Sequence, residues 1–82
     1  PPTLTKEYEL EYGNSTLEMQ YGNGKVVIVD DVLATGGTLN ATNELATSAG
    51  YEVVGNLVLV DLKYVPRVKD FNLNVRSIVQ YS

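Results

Sequence analysis

The chain is 82 residues long and acidic, with ten Asp and Glu against six Lys and Arg and a formal net charge of −4; this bounds it to one small domain and argues against nucleic acid as a partner. It contains neither cysteine nor histidine, which excludes disulfides, thiolate metal sites and an imidazole general base. No apolar run reaches membrane-spanning length and no secretory signal opens the sequence, so the expectation is a cytoplasmic chain with no membrane partner.

Leu4, Tyr8, Leu10 and Tyr12 stand among polar neighbours and predict a strand over residues 4–12. Gly13-Asn14-Ser15 is a turn signal, and residues 16–21 predict the returning strand, with Leu17, Met19 and Tyr21 on one face. Gly22-Asn23-Gly24 breaks this hairpin from an apolar strand at residues 25–29. Residues 34–37 form a loop of small residues, and a helix is expected from near Thr38 to Ala49. Its stripe of Ala41, Leu45, Ala46 and Ala49 is narrow, as suits a helix lying close on a sheet. Gly50 is placed to end that helix in a left-handed conformation. Residues 53–60 read as a second buried strand, Pro66 makes residues 62–70 a loop with at most one helical turn, and residues 75–81 read as a third core strand. Strand, helix and apolar strand in succession make a βαβ unit with parallel pairing and a right-handed crossover. The expected architecture is α/β, a single domain with a hairpin region at 1–24 and a βαβ core at 25–82.

The chemistry concentrates where the first apolar strand gives way to the helix. Asp30 and Asp31 are adjacent carboxylates whose mutual repulsion favours a cation or polar hydroxyls nearby, although an acid pair can also serve only a turn or a cap. Thr35-Gly36-Gly37-Thr38 offers successive backbone N–H groups, two hydroxyls and a helix N-terminus, which together can enclose a phosphate dianion. The bland alternative is a tight turn with Thr38 as an ordinary N-cap. Tyr8, Tyr21, Tyr51, Tyr64 and Tyr81 are expected to pack with a polar tip outward. Lys6, Lys63, Arg67, Lys69 and Arg76 are expected to be surface charges.

The string Asp30-Asp31-Val32-Leu33-Ala34-Thr35-Gly36-Gly37-Thr38 behind an apolar strand resembles the phosphoribosyl-diphosphate (PRPP) signature of the type I phosphoribosyltransferases. Tyr8-Glu9-Leu10-Glu11-Tyr12-Gly13 resembles the adenine branch of that family, and Ala34 looks like the adenine-type loop, where 6-oxopurine enzymes carry an aspartate. From Pro2 to Tyr81 the order of features is similar to the C-terminal half of the family, so the chain is expected to be a partial or split form of its fold. The resemblance implies transfer of ribose 5-phosphate from PRPP to adenine, giving AMP and pyrophosphate, with Mg²⁺ as cofactor. It places the 5′-phosphate on Thr35, Gly36, Gly37 and Thr38, the ribose hydroxyls on Asp30 and Asp31, and the base beside Ala34. Glu11 would be the catalytic acid at the purine, with Tyr12 in the loop that closes over the sugar. On sequence alone, Glu9 and Glu11 also fit solvent-facing acids of an edge strand. Mg²⁺ would be bound mainly through PRPP, aided by Asp30 and Asp31. A homodimer, or a second chain supplying the N-terminal half, is implied in the same way. A non-catalytic PRPP- or nucleotide-binding module, and a transferase for another nucleobase, are the competing readings. The 82-residue chain by itself is expected not to turn over.

Overall fold

The computed structural model describes residues 3–10 and 13–82, and of residues 8–10 and 13–15 it describes the backbone alone. Two sheets flank one helix. A hairpin pairs β1 (Thr3–Leu10) with β2 (Gly13–Gln20), and a three-stranded sheet holds β3 (Gly24–Leu33), β4 (Tyr51–Leu62) and β5 (Arg76–Tyr81) in that order. β3 pairs with β4 in parallel, as expected of strands joined through the helix α1 (Gly37–Ala49), and β4 pairs with β5 in parallel across the irregular segment 63–75. Among the described residues no helix is long and apolar enough to cross a membrane.

The core lies between α1 and one face of the parallel sheet. Leu33, Leu39 and Val58 form its centre, with Ile28, Phe71, Leu73 and Val75 packed against them. All four residues of the expected helical stripe are buried, and Leu39 extends it by one turn. A polar bolt crosses this interface: Asn43 of α1 donates to Oδ1 of buried Asn56 at 2.8 Å, and Asn56 donates back at 3.3 Å. The pair satisfies two amides that burial would otherwise penalise. Alternation sends Val27, Val29, Leu59 and Ile78 to the other face, where they are 49–67 % exposed. A parallel sheet is ordinarily covered on both faces; among the described residues no element covers the second face. β5 is accordingly an edge strand with Ile78, Val79 and Tyr81 exposed, rather than the core strand expected of it. Tyr21 and Tyr64 are also more than half exposed, against the expectation of packing, while Tyr51 is half-buried and donates to the Gln20 carbonyl at 3.2 Å.

The hairpin corrects one further expectation. Leu10 pairs with Gly13, so Gly13-Asn14-Ser15 lies inside β2 rather than forming the turn. Register explains it: this pairing sets Leu4 opposite Met19 and Leu17 opposite Lys6, and these four half-buried residues share one face. A reversal centred on Asn14 would break that alignment, so cross-strand packing prevails over local turn preference.

Candidate active site

β3 runs further than its apolar run predicts, through Asp30 and Asp31 to Leu33. Within the strand each aspartate side chain accepts from the next N–H. Asp30 Oδ1 accepts from Asp31 N and Asp31 Oδ1 from Val32 N, both at 2.8 Å. Both acids stand at the rim of one depression despite their adjacency in a strand. Its volume is about 230 Å³, and Asp30, Asp31, Ala34, Thr35, Gly36 and Thr38 line it together with Val32, Leu33 and Leu39. Burial pushes the Asp30 carboxyl above the ordinary carboxylate value, and the neighbouring Asp31 carboxyl adds to the rise against the opposing backbone hydrogen bond.

Gly36 is the hinge of the loop. Its φ of 86° lies in the left-handed region, and a Cβ there would run into the Phe71 ring, so both backbone and packing require glycine. The helix starts at Gly37, one residue before the expected Thr38, and Gly36 is its N-cap, with no side-chain cap and no acid in the first turn. Thr38 therefore lies inside the first turn, and the N-cap role foreseen as its alternative belongs to Gly36. The first intrahelical bond runs from Asn40 N–H to the Gly36 carbonyl at 2.9 Å. The N–H groups before Asn40 are thus not used within the helix; that of Gly37 donates to Thr35 Oγ1 at 3.3 Å. Gly37 itself faces an adjoining depression of about 320 Å³ with Lys6, Asn40, Glu44 and Asp70.

Six of the nine predicted site residues therefore meet at one depression and Gly37 adjoins it, while Glu11 and Tyr12 lie outside the described residues. The sequence reading missed Asp61 and Arg67. Asp61 is buried, and Arg67 is half-buried against it rather than a surface charge. An acid interrupting the apolar run of residues 57–60 is the signal that could have drawn attention to Asp61.

What this geometry can do is hold a small anion with polar hydroxyls beside it. Among the described residues no group of three or more acidic, His or Cys side chains could hold a metal alone. Two adjacent carboxylates with one oxygen each engaged in the chain are hard donors suited to sharing Mg²⁺ with phosphate oxygens.

Residues 2–79 match the phosphoribosyl transferase domain family. The chain is 51 % identical over 76 residues to an adenine phosphoribosyltransferase of Hydrogenovibrio crunogenus, covering 92 % of this chain and 44 % of that one. It is 49 % identical over 81 residues to that of Bdellovibrio bacteriovorus, covering 99 % and 49 %. It superposes with a TM-score of 0.80 and 40 % identity on the crystal structure of adenine phosphoribosyltransferase from Thermoanaerobacter pseudethanolicus, over 96 % of this chain and 49 % of that one. The Saccharomyces cerevisiae enzyme, crystallised with an imino-altritol bisphosphate and adenine, gives a TM-score of 0.82 at 27 % identity, over 95 % and 47 %. The chain spans about half the length of the curated relatives it matches.

Proposed function

The chain belongs to the phosphoribosyl transferase domain family, and from that premise we propose that it is the sugar-phosphate-holding part of an adenine phosphoribosyltransferase. The reaction proposed is adenine and PRPP to AMP and pyrophosphate. The observation that carries the reading is the depression in which Asp30, Asp31, Thr35, Gly36 and Thr38 meet at the open N-terminus of α1. In this proposal the N–H groups and hydroxyls from Thr35 to Thr38 take the 5′-phosphate, where the positive end of the helix favours a dianion. Asp30 and Asp31 accept from the ribose 2′- and 3′-hydroxyls, which fixes the anomeric carbon relative to the incoming base. Catalysis of this kind rests chiefly on positioning and on stabilising the charge that develops as pyrophosphate leaves. Mg²⁺, when bound, would neutralise charge on the pyrophosphate, with Asp30 and Asp31 as the protein oxygens available to it. Glu11 is assigned the purine and Tyr12 the closing loop, both by resemblance. The cytoplasm is the location that fits this reaction.

Isothermal titration tests the proposal. Ribose 5-phosphate and AMP should bind saturably to the 82-residue chain, and adenosine, which lacks the phosphate, should bind far more weakly. Equal binding of AMP and adenosine would contradict the assignment of the loop. Because the chain spans half of its relatives, pyrophosphate release from PRPP and adenine is expected only when the other half of the domain is supplied. A binding module that senses PRPP would differ in staying inactive even then.

A further inference from the structure

Three successive carbonyl oxygens of the phosphate loop are occupied by protein donors. The Ala34 carbonyl accepts from Arg67 Nη1 at 2.5 Å, that of Thr35 from Val68 N–H at 2.7 Å, and that of Gly36 from Asn40 N–H at 2.9 Å. A trans peptide holds its C=O and the following N–H on opposite sides. Tethering these oxygens therefore turns the N–H groups of Thr35, Gly36 and Gly37 the other way. An anion site needs that orientation, because an unengaged carbonyl oxygen facing a phosphate would repel it.

The tether is itself held in place. Arg67 Nη2 is paired with the buried Asp61 carboxylate, and Nη1 also donates to the Leu62 carbonyl at 3.1 Å. The guanidinium lies 5.8 Å from the centre of the Phe71 ring, the same ring that packs against Gly36. Phe71 is in turn bonded to Val68 through its N–H at 3.1 Å. We propose that Arg67, fixed by Asp61, is a positioning residue that sets the phosphate loop in its anion-accepting conformation. It does so through the Ala34 carbonyl and without touching the ligand. The proposal rests on the phosphate reading of the loop. Guanidinium suits the task because one rigid planar fork reaches a carboxylate and several carbonyls at once, which an ammonium cannot.

The test is a titration of the ¹⁵N-labelled chain with inorganic phosphate and with ribose 5-phosphate, followed at the Gly36, Gly37 and Thr38 amides. In the wild type these amides should shift saturably. In Arg67→Lys the ligand-free signals of residues 34–37 should move, those of β3 and β4 should stay, and phosphate affinity should fall about tenfold or more, as small misplacements of a binding group do. Asp61→Asn combined with Arg67→Gln removes both charges without stranding a buried carboxylate, and should give the same loss. Wild-type affinity in either variant would overturn the positioning role alone. Loss of the strand signals in both variants would also overturn it, since Arg67 would then be a general prop of the fold. A wild-type chain whose loop amides ignore phosphate would overturn the phosphate reading together with the tether.

Discussion

Both ends of α1 turn on a glycine in the left-handed region, Gly36 with φ 86° and Gly50 with φ 111°, yet the protein closes only one of them. At the C-terminal end the Gly50 N–H bonds back to Ala46 and Thr47, and Gly22 N–H donates to the Ala49 carbonyl at 3.0 Å. Orphan carbonyls there are satisfied by the chain itself, as a helix end in a folded protein requires. At the N-terminal end the N-cap glycine has no side-chain cap and the first turn carries no acidic residue; among the described residues only a long bond from Gly37 N–H to Thr35 Oγ1 engages it, and the turn opens on a depression flanked by two aspartates. The closed end stabilises the fold, and the open end is the one to which the proposed function assigns the phosphate. This difference points to the site more strongly than the presence of glycine, which the two ends share.

Substitutions at the two ends should therefore separate binding from stability. Gly36→Val combines left-handed strain, worth about 1–3 kcal/mol, with collision against Phe71; binding of ribose 5-phosphate should vanish and the melting temperature should drop. Thr38→Asp places a carboxylate in the open first turn. It should stabilise the helix by about 0.3–1 kcal/mol, seen as a raised melting temperature. Titration calorimetry should at the same time show ribose 5-phosphate affinity lowered roughly tenfold or more, since like charges in close contact repel by several kcal/mol. Gly50→Ala strains the closed end, where a Cβ would strike the Gly22 carbonyl. It should cost about 1–2 kcal/mol of stability by denaturant titration while leaving phosphate affinity where it was. A change in affinity without a change in stability there would break the comparison.

The smallest expected effect is a pH dependence. Burial raises the Asp30 carboxyl in the folded chain, so over the interval between its ordinary and its raised value the folded state binds more protons than the unfolded one. Asp30 thus contributes stability at low pH that is lost as pH rises through the raised value. Asp30→Asn should remove that component from the stability–pH profile and weaken ligand binding. An Asp30 contribution that grows with rising pH would have the wrong sign.

Much of this fold was legible because it depends on local pattern. The apolar run at residues 25–29, the stripe of Ala41, Leu45, Ala46 and Ala49, and Gly50 behind it specify strand, helix and stop with little help from the rest of the chain. That the aspartate pair and the glycine loop lie together was legible for the same reason. The hairpin reversal was not, because the pairing of Leu4 with Met19 is decided between strands while Gly13-Asn14-Ser15 speaks only for itself. Arg67 was hidden for a similar reason. The acceptor through which it reaches the loop, the Ala34 carbonyl, lies 33 residues away and is a backbone atom that leaves no mark in the sequence. The exposed Tyr21, Tyr64 and Tyr81 misled because packing was assumed on surfaces that this chain leaves uncovered.

The most direct test of the central claim is a crystal structure of the chain with ribose 5-phosphate. The account predicts the phosphate at the first turn of α1, within hydrogen-bond reach of the backbone N–H groups between Gly36 and Thr38, with the ribose hydroxyls on Asp30 and Asp31. A phosphate bound elsewhere on the chain, with the first turn of α1 in contact only with water, would contradict it.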